Sequence, residues 1–204
     1  MIKFLIDNKR FDPKFSDMIA GQLLTPLTNY RNWSPDFYAI DNGAFSGFRE
    51  TEFERLIDAA RGVFGAMWVA APDQVGDAER TLMAWRQWEP RIRRRGLPVA
   101  YVVQDGASMF ELPEADAYFI GGSTSFKLSQ DASDVVLMAK EMGKPVHMGR
   151  VNSLNRLTAA MQMGCDSIDG TGYSRFGDTH LANGIEHIRR HLSQPKLISA
   201  ESRP

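Results

Sequence analysis

Short apolar runs of three to five residues recur along the chain and alternate with longer stretches of helical character. Eight of them have the composition of strands: residues 3–6, 37–40, 67–70, 99–103, 117–120, 145–148, 166–168 and 196–199. Most are apolar at successive positions, which indicates strands covered on both faces, as in a parallel sheet with helices outside.

Helical periodicity fills most of the intervals, most clearly at residues 52–64, 76–94, 133–142, 153–163 and 185–192. Local signals agree: Thr51 precedes an acidic first turn, Ser153 opens an apolar stripe, and Gly143 and Gly164 follow helix ends. Repeated strand and helix units form either an open doubly wound sheet or a closed barrel. The count of eight strands favours an α/β fold of one domain, a compact (β/α)8 TIM barrel.

Composition fits one domain and excludes several classes of protein. We expect the barrel to span 1–199 of the 204 residues, with a disordered tail at 200–204. The 24 basic and 25 acidic residues exclude a strongly basic chain, so a nucleic-acid surface must be local. The single cysteine, Cys165, excludes a disulfide framework and a thiolate zinc site. An early charge at the N-terminus and the lack of a long apolar run predict a cytoplasmic protein without a membrane span.

Polar residues and glycines gather where the predicted strands end. The segments are Asp41-Asn42-Gly43, Asp73-Gln74, Gln104-Asp105-Gly106, Gly121-Gly122-Ser123, His147-Met148-Gly149-Arg150 and Asp169-Gly170-Thr171. Any one of the Asp-Gly or Asp-Asn-Gly segments is also a good turn former. Together they predict an active site, because loops that leave the carboxyl ends of parallel strands converge on one mouth.

These segments resemble the tRNA-guanine transglycosylase superfamily and, more closely, the 7-deazaguanine DNA transglycosylases of phages and bacterial DNA-modification clusters. The resemblance covers most of the chain, and its five matches occur in order. They are Asp41-Asn42-Gly43-Ala44-Phe45, Ala71-Pro72-Asp73, Val103-Gln104-Asp105-Gly106, Phe119-Ile120-Gly121-Gly122-Ser123 and Gly164-Cys165-Asp166-Ser167-Ile168-Asp169. Five ordered matches at strand ends are more specific than any one of them.

The resemblance implies roles for these residues. Asp169 corresponds to the nucleophile and Asp41 to an acid/base and positioning group. Asp73 corresponds to the aspartate that reads the guanine edge. The remaining base-binding candidates are Gln104, Gly121, Gly122 and Phe45. The implied reaction replaces guanine in DNA with a 7-deazaguanine derivative, through a covalent bond between aspartate and deoxyribose, with no metal and no cofactor.

The chain departs from the tRNA enzymes near its C-terminus. Their zinc site needs cysteines, and none follows Cys165 here. His187 and His191 have a helical i, i+4 spacing without a third ligand, so a solvated helix face is the preferred interpretation. The absence of the zinc subdomain favours DNA over tRNA as the substrate.

A DNA substrate requires a flipped or single-stranded base, flat side chains and local positive charge. The expected phosphate contacts are Lys127, Arg150, Arg156 and Arg175, and the expected stacking residues are Phe45, Phe48, Tyr173 and Phe176. Further candidates to line the site are His147, Asp105, Asn152 and Tyr173. A second basic group, Arg91 with Arg93, Arg94 and Arg95, lies at a helix end, where the helix dipole explains it.

Three alternatives stay open at this level. A small barrel acting on a phosphorylated metabolite would use Gly170-Thr171-Gly172, assigned to the seventh loop, as its phosphate site. A non-catalytic subunit would read a base and deliver DNA to partner proteins of a modification system. A glycosylase would let water, in place of free guanine or 7-deazaguanine, resolve the intermediate.

Overall fold

The computed structural model describes residues 1–7, 12–27, 36–175 and 178–193. Eight strands pair in parallel and close into a barrel in chain order. They are β1 (Lys3–Ile6), β2 (Ile19–Leu24), β3 (Tyr38–Ile40), β4 (Ala66–Ala70), β5 (Val99–Val103), β6 (Ala117–Ile120), β7 (Val146–Met148) and β8 (Ser167–Ile168). The prediction of a single α/β domain with a closed eight-stranded barrel is confirmed.

Helices follow most of the strands. They are α1 (Glu50–Ala60), α2 (Ala78–Arg93), α3 (Thr124–Lys127), α4 (Gln130–Glu141), α5 (Leu154–Met163), α6 (Thr171–Arg175) and α7 (Asp178–Ser193). Short 3₁₀ turns lie at Pro13–Met18 between β1 and β2, at Ala44–Ser46 before α1, and at Ala107–Met109 between β5 and β6. None of the helices within the described ranges is long and apolar enough to cross a membrane.

The sequence pattern misses one strand of the barrel. The apolar pattern does not predict β2, because Gly21 and Gln22 interrupt it, and the predicted strand at 196–199 lies outside the described residues. A β-carbon at position 21 would lie 2.5 Å from the carbonyl oxygen of Phe37, so the glycine permits close approach of the neighbouring strand. The strand numbers shift accordingly: Asp41 follows β3, Asp73 follows β4 and Asp169 follows β8.

The barrel strands separate two layers of apolar side chains. The smaller cluster comprises Leu5, Leu23, Ala39, Trp68, Ala70, Ala100, Val102, Ala117 and Phe119. These residues alternate along the strands with members of the main cluster, such as Tyr38, Val69 and Tyr101. Two apolar faces explain why the strand sequences are continuous apolar runs.

Capping side chains fix several helices beside the strand ends. Asp77, Ser123, Ser129 and Ser153 each accept a hydrogen bond from the first turn of α2, α3, α4 and α5 respectively. The cap predicted at Thr51 is wrong, because α1 begins after Arg49 without a side-chain cap. Its acidic first turn is still favourable for the helix dipole.

Candidate active site

Two adjoining pockets open at the carboxyl ends of the strands. The first, named here the Asp73 pocket, is lined by Asp41, Asn42, Ala44, Phe45, Ala70, Asp73, Val75, Val102, Gln104, Phe119, Gly121, Gly122, Lys127, Gly149 and Arg150. The second, the Asp169 pocket, is lined by Asp7, Leu23, Thr25, Pro26, Leu27, Asp41, Asn42, Gly43, Phe45, Ser46, Gly47, Arg49, Arg150, Asp169, Gly170 and Thr171. Their empty volumes, including space open to solvent, are about 430 and 990 Å³.

Four residues line both pockets, so the two are parts of one site. They are Asp41, Asn42, Phe45 and Arg150. Two joined compartments with different polar groups can hold two parts of one substrate. Such a concave site with a few convergent polar groups is typical of ligand-binding pockets.

Asp73 is held by two amide side chains from neighbouring strand ends. Asn42 donates from Nδ2 to Asp73 Oδ1 at 2.8 Å, and Gln104 donates from Nε2 to Asp73 Oδ2 at 2.6 Å. The amides are themselves fixed: Asn42 also donates to the carbonyl of Ala71, and Gln104 Oε1 accepts from the backbone N–H of Gly76. The carboxyl group therefore has a set orientation at the pocket wall.

Burial raises the pKa of Asp73 to about 7, and the charge of Asp41 adds to the rise, while the hydrogen bonds from Asn42 and Gln104 oppose it. Two donors on its two oxygens suit the carboxylate form. With a pKa near 7, Asp73 changes its protonation near neutral pH. A ligand that donates hydrogen bonds to Asp73 binds its ionised form. The raised pKa makes pH a test of its role.

We expect the affinity for free guanine to fall as the pH drops through about 7. Guanine donates from N1–H and its 2-amino group, and a protonated Asp73 loses an acceptor, so affinity should approach a tenfold loss per pH unit below the pKa. Calorimetric titration between pH 5.5 and 8.5 measures this dependence. Asp73→Asn should bind weakly and without this transition; an identical pH profile in that variant would assign the transition to another group.

Glycines and a buried lysine form the opposite wall of the Asp73 pocket. A β-carbon at Gly121 would lie 2.6 Å from Gln104 Nε2, so only glycine leaves room for that amide. Gly122 has a φ of +75°, and its carbonyl accepts a hydrogen bond from Lys127 Nζ at 3.0 Å. Asp105 fixes this loop by accepting from the backbone N–H and the hydroxyl of Ser123, at 2.8 and 2.5 Å.

Asp105 thus has a structural role behind the wall. Burial raises its pKa, but the hydrogen bonds from Ser123 outweigh burial and hold the pKa below its ordinary value. Asp105 lines neither of the two pockets. It is a loop-fixing residue and does not face a ligand in this arrangement.

Asp41 lies where the two pockets meet. Its Oδ1 accepts from the backbone N–H of Gly43 at 2.7 Å, and Gly43 has a φ of +75° in this tight turn. Burial raises the pKa of Asp41, the hydrogen bond from Gly43 lowers it, and the nearby charge of Asp169 raises it again. The net rise favours a carboxyl group that can hold a proton, as a general acid requires.

Asp169 is held by only one of its carboxylate oxygens. Oδ1 accepts from the backbone N–H of Arg150 at 2.8 Å and lies 3.2 Å from Nε2 of His147. His147 is 1% exposed, and its Nδ1 lies 2.9 Å from the hydroxyl of Ser167. Within the described part of the chain, Oδ2 of Asp169 has no hydrogen-bond partner. One oxygen is therefore fixed while the other is available to a ligand.

Arg150 joins the two pockets through an unusual backbone conformation. Its φ is +56°, the only positive value among the described residues other than glycine, and its guanidinium lies 3.2 Å from the ring centroid of Phe45. Strained backbone of this kind clusters at functional sites. The conformation lets one residue donate to Asp169 through its N–H and cover Phe45 through its side chain.

Several predicted site residues lie elsewhere. Tyr173 is not at the mouth: it is buried against Phe4 with ring centroids 4.6 Å apart, and burial raises its pKa to about 12. Phe48 packs against Phe53 and Trp88. Asn152 is exposed and lines neither pocket.

The four cationic residues predicted to contact phosphate also lie in different environments. The sequence places Lys127 among the phosphate contacts of the rim, but its side chain is 3% exposed and lies in the wall of the Asp73 pocket. Arg150 lines both pockets, and Arg156 is partly exposed on the first turn of α5. Arg175 ends α6, with its side chain outside the described residues, as is the whole of Phe176.

Three arginines of the second basic group and one histidine of the i, i+4 pair have structural partners. Arg91, Arg93 and Arg95 make ion pairs with acidic residues around α1 and α2, including Glu54, Glu89 and Asp58. His187 Nε2 lies 2.8 Å from the hydroxyl of Thr158. A search of the described residues found no cluster of His, Cys, Asp and Glu able to hold a metal ion.

Sequence reasoning missed several residues of the site. The sequence pattern treats Asn42 as part of a turn, although an amide beside a strand-end aspartate is a common hydrogen-bonding pair. Asp7 and Thr25 follow β1 and β2, and the pattern does not predict β2, so that side of the mouth is incomplete in the prediction. Val102 and Phe119 point inward from β5 and β6, a direction that becomes clear only once the barrel closes.

Comparison with known proteins gives no family assignment. A scan against models of protein families found no match, and a search of curated proteins found none either. The likeness to guanine transglycosylases therefore depends on the five motifs at the strand ends and on the chemistry of the residues that those motifs contribute.

Proposed function

We propose that this protein is an enzyme that exchanges guanine in DNA for a 7-deazaguanine derivative. The observation that carries the proposal is the pairing of two compartments. One contains a buried aspartate fixed by two amides, and the other contains an aspartate with one oxygen fixed and one available. Asp41 lies between them, where the glycosidic bond of a bound nucleotide would lie.

The Asp73 pocket suits the hydrogen-bonding edge of guanine. Guanine presents two adjacent donors, N1–H and the 2-amino group, and an ionised Asp73 can accept both. Gln104 Nε2 has one hydrogen engaged by Asp73 and a second that can reach the 6-oxo group. Adenine has no 2-amino group and an acceptor at N1, so it leaves Asp73 unsatisfied.

The proposed chemistry uses the carboxyl groups of Asp169 and Asp41. Oδ2 of Asp169 attacks C1′ of the deoxyribose, the C1′–N9 bond breaks, and its electron pair goes to N9 of guanine. Asp41 supplies a proton to the leaving base. The incoming base returns its N9 proton to Asp41 and attacks C1′, which breaks the ester to Asp169. The proton balance closes, and no further reactant is needed.

The neighbours of Asp169 support its role as the nucleophile. A hydrogen bond from the N–H of Arg150 and the ring of His147 hold Oδ1, so the attacking oxygen keeps one orientation. His147 itself is fixed between the rings of Trp68 and Phe119, with centroids 5.0 and 4.7 Å away. Such support from packed side chains is what a reacting carboxylate needs.

A base in a duplex must leave the stack to reach this site. Phe45 is 59% exposed at the border of the two pockets and offers a flat face there. Arg150 covers that ring and brings a positive charge to the same border. An aromatic ring with an arginine is suited to a nucleotide, because it combines stacking with attraction to phosphate.

We expect DNA binding to depend steeply on salt through the arginines at the site. Arg150→Gln and Arg156→Gln should each flatten the slope of log affinity against log salt by about 0.7–0.9 for every phosphate that the variant no longer neutralises. Fluorescence anisotropy with a labelled oligonucleotide at several salt concentrations measures this. Arg94→Gln is the control, because Arg94 is exposed at the end of α2, at the opposite face of the barrel. A larger effect of Arg94→Gln would move the docking surface to that face.

A second candidate function has one specific observation in its favour. Since Asp169 follows β8 and not a seventh strand, glycines follow both of the last strands: Gly149 after β7, and Gly170 with Gly172 after β8. This is the usual place of a phosphate site in (β/α)8 barrels. An enzyme of phosphorylated metabolites would use this site but would have no need of the fixed Asp73.

The proposed function is tested by incubating the protein with DNA and radiolabelled free guanine. We expect the label to enter DNA and to be displaced by an unlabelled 7-deazaguanine, with incorporation by Asp169→Asn lower by about 10²–10⁴-fold. A parallel reaction with RNA tests the choice of polymer. Stabilisation by sugar phosphates without incorporation would favour the second candidate, and DNA binding without incorporation would favour a base-reading subunit.

A further inference from the structure

Lys127 is a buried cation for which the proposed base exchange gives no role. Its side chain is 3% exposed, and its ammonium group donates to the carbonyl of Gly122. Lysine is rarely buried unless it is paired, and an ammonium group has three hydrogens to donate. Among the described residues no carboxylate lies within ion-pair distance of Lys127. The ammonium group therefore lines the Asp73 pocket with capacity to bind a further acceptor.

Both cations and carboxylates act on the ammonium group of Lys127. Burial, together with the charges of Arg150 and Arg156, lowers its pKa to about 8, and the charges of Asp169 and Asp105 oppose this fall. At neutral pH the group is still mainly protonated. A ligand atom that contacts the ammonium group meets its positive charge directly, whereas the nearby carboxylates of Asp169 and Asp105 oppose the charges of Arg150 and Arg156.

The order of the strands fixes which edge of a bound guanine faces Lys127. Asp73 follows β4 and Asp169 follows β8, on opposite sides of the eight-stranded ring, so a base with its donors at Asp73 directs N9 towards Asp169. Both hydrogens of Asn42 Nδ2, on the β3 side, are engaged by Ala71 and Asp73. The 6-oxo group therefore needs the β5 side, where Gln104 retains a donor.

Around the base from N1, the 6-oxo group is followed by position 7, C8 and N9, so position 7 lies beyond β5, beside β6 and β7. Gly122 follows β6, and Lys127 at the end of α3 covers this position. We propose that Lys127 determines which base is inserted, by selecting a 7-deazaguanine whose substituent at position 7 accepts a hydrogen bond and carries no positive charge. This inference depends on the proposed base exchange.

The test compares the affinities of four free bases by calorimetry at pH 7.5: guanine, and 7-deazaguanine bearing a 7-carboxyl, a 7-cyano or a 7-aminomethyl group. We expect the carboxylate to bind tightest and the aminomethyl base weakest, with a ratio of about 10- to 150-fold, the range of a hydrogen bond to a charged group. Lys127→Met should lose most of this ratio. Lys3→Gln is the control, because Lys3 is exposed at the start of β1.

Each outcome separates this inference from the proposed function. A wild-type preference for the aminomethyl base overturns it, as does an equal effect of Lys127→Met on all four bases, which would mean that Lys127 reads the shared ring. In either case guanine exchange still stands. If Lys127→Met does not fold, Lys127→Arg should retain the ranking. Failure of every base, guanine included, to bind overturns both the inference and the proposed function.

Discussion

Asp169→Asn should reduce base exchange by about 10²–10⁴-fold and leave the fold intact. The asparagine oxygen can still accept from the N–H of Arg150, so the β8 loop keeps its main contact. The amide nitrogen that replaces Oδ2 is not a nucleophile, so the attack on C1′ no longer occurs. The measurement is the initial rate of guanine incorporation into DNA, with the melting temperature taken in parallel.

The matched control for this prediction is Asp166→Asn. Asp166 lies just before β8, at the opposite end of the strand, where it accepts from Lys140 and from the backbone N–H of Val146. A structural effect of removing a carboxylate near β8 would appear in both variants. Near-normal exchange in Asp169→Asn would mean that another residue attacks the sugar.

Asp73→Asn should reduce the preference for guanine. A site built around a hydrogen bond can reject a base that lacks the partner group by about 10⁴–10⁵-fold. The substitution replaces one oxygen by an NH₂ group, which faces the donor of either Asn42 or Gln104 and cannot accept from the guanine edge. The kcat/KM for guanine should fall sharply, and its ratio to the kcat/KM for hypoxanthine, which lacks the 2-amino group, should shrink.

The control for this change is Asp77→Asn in the same loop. Asp77 caps α2 by accepting from the backbone N–H of Arg80, and asparagine is an equally good cap. That variant should keep both the rate and the ratio. If the guanine-to-hypoxanthine ratio is unchanged in Asp73→Asn, Asp73 is a structural turn residue and another group reads the base.

The fold could be predicted from the sequence because most strands are buried on both faces. A run such as Val99–Val103 has apolar residues at every position, since alternate side chains contact the barrel interior and the helices. The sequence does not predict β2, because two of its residues interrupt the apolar run. Gly21 is required by the approach of Phe37, and Gln22 is a buried polar residue in the strand. Neither requirement is visible before the strands are paired.

The sequence predicts the carboxylates of the site. It predicts fewer of the residues that support them. Asp41, Asp73, Gln104 and Asp169 line the two pockets because strand ends must meet in a parallel barrel. The side-chain direction of Lys127 was not predictable, because it depends on the turn of α3 and on the carbonyl of Gly122.

The predicted stacking residues also differ in position because of local backbone geometry. Phe45 lies in a 3₁₀ turn that holds it at the mouth, whereas Tyr173 lies on α6, where it packs against Phe4. Both follow a strand end in the sequence. Only the local helical geometry decides which ring faces the ligand and which ring joins the core.

The central claim is that Asp169 forms a covalent bond to the sugar of DNA during base exchange. The direct measurement is mass spectrometry of the protein after acid quenching of a reaction with excess DNA and no free base. The account predicts an adduct on the peptide that contains Asp169, removed when free guanine is added before the quench. An adduct on another residue would contradict it, as would a protein that incorporates labelled guanine into DNA in a separate reaction but forms no adduct when free base is omitted.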